Sequence, residues 1–328
     1  MEEVKTTGKN YKFSLSPKAL KILLLTFAAL AVVTALLLTF TVSDYYIFNR
    51  MAEYGVVFSI SQWVKKAGLI LIILAVFFGC KSCSDAVKYV LPVFVILSCC
   101  LYGNFFDIVP EVNNTNDEIF NSVNLFMSKW LNITLFFLHN LSLVACCGLF
   151  ILQGGLKVKA RSFVTLPLSI LAAFPLNLFE NFFDINTIPK DSFLRFYNFT
   201  IWHLIALCVL VASTVGLYFF LRGKGRDSQD KWLCAIAVCL LLQYHSKDSM
   251  LLGDGYNVYR TVLAALPLFI CNAGVYLASA SVIFKKKFLY SASFFVHAIG
   301  ALTVFIYFGK NEMSNYGIFA VTPFYTSV

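Results

Sequence analysis

The chain has 328 residues, of which 59% are hydrophobic, 16% aromatic and only 13% charged, and its net charge is +9. Its mean hydropathy is +0.77. A water-soluble domain cannot carry so much apolar surface, because solubility needs surface charge. This composition excludes an ordinary soluble enzyme or nucleic-acid-binding domain and points to an all-α, polytopic membrane protein.

A helix needs roughly 20 apolar residues to cross the hydrocarbon core. In chain order the expected spans are 20–41, 56–80, 84–103, 130–153, 162–183, 199–221, 231–245, 260–284 and 288–308. The seventh is short and open to a re-entrant reading. Helices are required because lipid offers no partner to an unpaired backbone amide. Barrel strands alternate in polarity, unlike the continuous LKILLLTFAALAVVTALLLTF of the first span. That span follows a basic segment, but its apolar core is longer than a signal peptide's and Thr41-Val42-Ser43 is a poor cleavage site, so it reads as an anchor. Trp63, Trp130, Trp202 and Trp232 fall at span edges, where amphipathic rings favour the headgroup layer.

Orientation follows from Lys and Arg. With the N-terminus in the cytoplasm, the inner segments hold 17 of the 26 basic and 5 of the 17 acidic residues, hence +12 inside and −3 outside. The expectation is nine spans, N-in and C-out, in a multi-pass protein of the plasma membrane if the source is bacterial. The basic balance thus reads as topology and not as nucleic-acid binding. The Lys285–Lys286–Lys287 run reads as a stop-transfer anchor. Expected partners are membrane lipid and, within the bilayer, further copies or other chains.

The expected organisation is a cytoplasmic N-terminus plus anchor helix (1–55), a first four-helix unit (56–183) with an acidic outer loop at 104–129, a second unit (199–308) and a short outer tail (309–328). The loop carries a glycosylation-type triplet, Asn113-Asn114-Thr115. LFFLHNLSLV (135–144) is similar to PLFICNAGVY (267–276), with His139–Asn140 opposite Cys271–Asn272. Four helices per unit make the copies a parallel repeat.

None of the ten cysteines lies in an outer loop, so no disulfide framework is expected. Cys80-x-x-Cys83 has the spacing of a redox or zinc half-site. No second Cys/His pair accompanies it, so it reads as two small residues at a helix interface. No metal or organic cofactor is expected, and no Walker, Gly-rich phosphate or HExxH motif occurs.

Ionisable groups in lipid are costly and mark candidate sites. His139, His203, His245 and His297 all lie within spans or at their lips. Two readings use such residues. In an enzyme, Cys271 is a nucleophile with His297 or His203 as its base. In a transporter or permease subunit, His139, Asn140, Asn272 and His297 line a midplane cavity, with Glu180, Asp184, Lys247 and Asp248 at its outer mouth. The alternative for both is plain interhelical hydrogen bonding.

The stretch from about 199 to 308 carries His203 in NFTIWHLIAL, Lys247 in LLQYHSKD, then Leu266-Pro267-Leu268-Phe269-Ile270-Cys271, with Lys285–Lys287 and Tyr290…Gly300-Ala301-Leu302 in order. This stretch resembles the YwaF-type integral membrane family, whose animal relatives include transmembrane protein 164. That family's pattern is Leu-Pro-Leu-His-x-Cys, so Phe269 stands where its histidine would be. The resemblance implies a lipid-handling, thiol acyltransferase-like activity with Cys271 as nucleophile.

Overall fold

A computed structural model of the chain describes residues 16–39, 56–99, 129–156, 160, 162–173, 201–253 and 270–306. Among these residues every regular element is helical and no strand occurs. The helices are α1 (Pro17–Thr39), α2 (Val56–Val76), α3 (Lys81–Val87), a 3-10 turn (Lys88–Val90), α4 (Leu91–Cys99), α5 (Lys129–Gly154), α6 (Ser162–Ala172), α7 (Ile201–Arg222), α8 (Arg226–Gly253), α9 (Ile270–Phe284) and α10 (Lys287–Ile306). Among the described residues two helices, Pro17–Leu38 and Ile133–Gly154, are long and apolar enough to cross a membrane by length and composition.

The helix limits depart from the apolar runs where turn chemistry intervenes. α2 stops at Val76, short of residue 80, because Gly79 adopts a left-handed φ of 65° and the Cys80 N–H turns back to the Leu74 carbonyl at 3.0 Å. The third run is helical from Lys81 but tightens into the 3-10 turn just before Pro92. Pro92 has no N–H to offer the Lys88 carbonyl, so regular α bonding cannot pass through that point. α5 closes on Gly155 at φ 63°, whose N–H reaches the Ile151 carbonyl at 2.7 Å.

The expected short or re-entrant seventh segment is instead a continuous 28-residue helix, α8. Hydropathy follows only the apolar stretch, whereas backbone hydrogen bonding continues through polar residues at both ends. Asp227 sits in the first turn of α8, where the helix dipole favours a carboxylate, and pairs with Lys231 one turn on at 2.6 Å.

The most extensive helix contact is that of α1 with α5. Ala28 and Ala31 are fully buried, and their small side chains let the two backbones close up. α2, α4 and α6 complete this half around Leu71, Ile72, Phe94 and Leu143. The Trp63 indole N–H donates to the Ile170 carbonyl at 2.7 Å and ties α2 to α6. α8 packs on α1 and α2 and carries the α9–α10 hairpin. α7 takes part in none of the more extensive contacts among the described residues.

Candidate functional site

Thr34 on α1, Ser61 and Lys65 on α2, and His139, Asn140 and Ser142 on α5 are all buried polar residues. His139, one of the expected midplane residues, is 2% exposed. Its Nδ1 lies 3.0 Å from the Ala31 carbonyl and 3.1 Å from Thr34 Oγ1. The Thr34 hydroxyl spends its single proton on the Leu30 carbonyl, 2.7 Å away on its own helix. Nδ1 therefore carries the ring proton and shares it between the carbonyl and the hydroxyl oxygen. His139 thus fastens α5 to α1.

Asn140 follows at 0% exposure. Its amide group donates to the Phe136 carbonyl at 3.0 Å, while its Oδ1 is buried with no hydrogen-bond partner. A buried acceptor without a donor costs about 1–3 kcal/mol. That unsatisfied oxygen lies in the middle third of a 26-residue apolar helix.

Lys65 is not among the candidate residues that the sequence offers. As one of the nine basic residues outside the inner segments it serves there only as an orientation signal, yet it lies mid-helix in α2 and is 3% exposed. Its ammonium sits 4.9 Å from the centroid of the Phe136 ring. Ser61, one turn earlier on the same face, is also buried. A lysine flanked by Gln62, Trp63, Val64 and Lys66 at the centre of an expected span is the available signal, and orientation counting absorbs it.

The other expected site residues are placed by backbone only. His203 lies near the start of α7, Lys247 in the last third of α8, Cys271 and Asn272 in the first turn of α9, and His297 midway along α10. Their side chains, and that of Asp248 in α8, fall outside the described residues, as do Glu180, Asp184, residues 104–128 of the expected loop and the tail 309–328. Among the described residues α9 and α10 join the rest of the fold through α8, and no extensive contact links them to α5. No group of three or more His, Cys, Asp and Glu able to hold a metal occurs among the described residues.

A second polar cluster caps one end of the bundle. The turn 77–80, the start of α8 and the α9–α10 turn converge there. Lys285, in the left-handed region at φ 53°, pairs with Asp230, and Lys231 pairs with Asp227. The Asp230 hydrogen bond raises the Lys285 pKa, and the Asp227 hydrogen bond raises that of Lys231. Lys88 reaches Asp85 at 3.2 Å and lies against the end of α5 at Gly154, where a cation complements the helix dipole.

Cys80 lies in this cluster, outside the helix expected to contain it. A hydrogen bond from Cys83 lowers its pKa to about 7; burial opposes this, the Lys231 charge assists it and the Asp227 charge opposes it. Cys83 is 4% exposed and its pKa is pushed strongly up, first by the hydrogen bond it gives to Cys80 and then by burial.

Chemically, the α1–α2–α5 junction offers a buried lysine, an unsatisfied acceptor and a buried histidine, while the bundle end offers two thiols of unlike acidity. No family model, curated protein or solved structure matches the chain.

Proposed function

We propose that the chain is a nine-span membrane protein, N-in and C-out, acting as a transporter or permease subunit whose midplane site binds a small acidic solute. The observation that carries the site is Lys65, buried at the centre of α2 against the same helix that presents His139 and the unsatisfied Asn140 oxygen. A charged side chain at the bilayer centre costs about 3 kcal/mol, and such residues mark solute paths. The ammonium would take a carboxylate or phosphate group, and the Asn140 oxygen would take a hydroxyl or N–H of the same molecule.

The multi-pass reading is supported by the surface. Leu204, Ile205, Val209, Val211, Val215, Tyr218 and Phe219 are all exposed around α7, as Phe288, Phe294 and Phe295 are on α10. Such a surface suits lipid and penalises water. The N-in threading is supported by the bundle end, where the inner turns expected after the second, sixth and eighth spans gather with their basic residues.

The test is solute-driven swelling of vesicles containing the full chain, with acetate, lactate and phosphate as probes. Lys65→Met and Asn140→Leu should each slow uptake about tenfold, the effect of losing roughly 1.4 kcal/mol of binding. Uptake no faster than in protein-free vesicles overturns the reading. Externally added maleimide should label a cysteine placed at Thr115 and miss one placed at Gly225 in intact cells.

A second reading, acyl transfer through Cys271, is favoured by helix register. Cys271 lies 14 residues before Lys285 and His297 lies 12 after it. At about 1.5 Å per residue, the antiparallel hairpin sets the two residues at depths differing by only about 3 Å. Cys271→Ala should abolish transfer of a labelled acyl chain from phospholipid; unchanged transfer rejects it.

A further inference from the structure

Cys80 and Cys83 belong to neither reading above. The sequence treats them as packing residues, but the fold gives them unlike burial within one turn. Gly79 turns the chain out of α2, and the Cys80 N–H is pinned to the Leu74 carbonyl. Cys80 then sits immediately before α3, and the Cys83 N–H returns to the Cys80 carbonyl at 3.0 Å. Residues three apart in a helical turn have Cα atoms about 5–5.5 Å apart, inside the range a disulfide spans without moving the backbone. Cys80 caps the first turn of α3 and Cys83 closes it, so both side chains leave the same turn. Cys80 is half-buried and reachable from solvent, whereas Cys83 is closed off. From α8, Lys231 and Asp227 act on Cys80 and Cys239 acts on Cys83.

We propose that Cys80 and Cys83 form a thiol–disulfide exchange site that takes low-molecular-weight disulfides, with Cys80 as the attacking thiol and Cys83 as the resolving thiol. The Cys80 thiolate attacks one sulfur of R–S–S–R, forming Cys80–S–S–R and expelling RS⁻, which takes a proton from solvent. Capping Cys80 removes the thiolate whose hydrogen bond and charge hold Cys83 protonated. Cys83 then attacks the Cys80 sulfur and its proton passes to the second RS⁻ as that group is expelled, so RSH leaves. The dithiol has lost two electrons and two protons, and the disulfide has become two thiols. A thiol with a pKa near ambient pH is the best attacking group in such exchange.

The experiment uses the full chain in detergent, equilibrated across ratios of reduced to oxidised glutathione. Free thiols are then trapped with maleimide, and the chymotryptic peptide Gly79–Tyr89 is read by mass spectrometry. The expected result for the native chain is paired loss of both labelling sites with formation of one Cys80–Cys83 disulfide, reversed by dithiothreitol. Cys83→Ser should stop at a glutathione adduct on Cys80, and Cys80→Ser should leave Cys83 unmodified. The alkylation rate of Cys80 should reach half its maximum near pH 7. Independent labelling of both cysteines at every ratio, a native chain that stops at the adduct, or a half-maximum near pH 9 overturns the proposal. The native-chain measurements need no variant, so a misfolded substitution leaves the test intact.

Discussion

Gly68→Ala is the sharpest probe of how α2 meets α4. A Cβ built on Gly68 would stand 2.2 Å from Phe94 Cζ, 2.8 Å from its Cε1 and 3.3 Å from Val90 Cγ2. Carbon atoms pack comfortably at about 3.5–4.0 Å, so the ring would have to retreat by more than about 1 Å. Phe94 is fully buried and has no free side to move into. Overpacking of this kind costs about 1–3 kcal/mol. Alanine returns up to about 1 kcal/mol through helix propensity. The net expectation is a loss of up to about 2 kcal/mol once the full propensity gain is subtracted.

The assay is reversible unfolding by sodium dodecyl sulfate in mixed micelles, followed by tryptophan fluorescence. Phe94→Leu opens room at the contact, so Gly68→Ala/Phe94→Leu should be more stable than the sum of the single changes predicts, by about 1 kcal/mol or more. Gly68→Ala matching or exceeding the native stability, with additive behaviour in the double variant, would refute the close α2–α4 approach.

Thr34→Val and His139→Phe should each cost about 1 kcal/mol in the same assay, with a coupling of about 0.6 kcal/mol, because the hydroxyl and the ring share one hydrogen-bond system between α1 and α5. Strict additivity would detach the hydroxyl from the ring. The raised pKa of Lys285 carries a sign: its stabilisation is complete below its ordinary value of 10.5 and is lost as pH rises through the higher folded value. Stability should therefore hold steady from neutral pH to about 10 and fall above it, and Asp230→Asn should remove the part of that fall that belongs to Lys285.

The amino-acid order by itself determines that this chain is helical and apolar, because hydropathy and the absence of alternation are properties of each stretch taken alone. The apolar runs locate α1, α5, α7 and α10 to within a few residues for the same reason. His139 and Asn140 are also legible, since an imidazole and a carboxamide inside LFFLHNLSLV stand out without any knowledge of neighbours.

What surrounds those two residues is decided in three dimensions. The partners of His139 lie on α1, more than 100 positions earlier, and pairing between helix surfaces leaves no trace in a hydropathy profile. Lys65 looks like an orientation signal until α5 is laid across it and Phe136 covers its ammonium. Cys80 looks like the tail of a span until Gly79 turns it out beside Lys231, a residue 151 positions away. Burial and charge at a point in space come from chain segments far apart in order, so only their packing sets the chemistry of these groups.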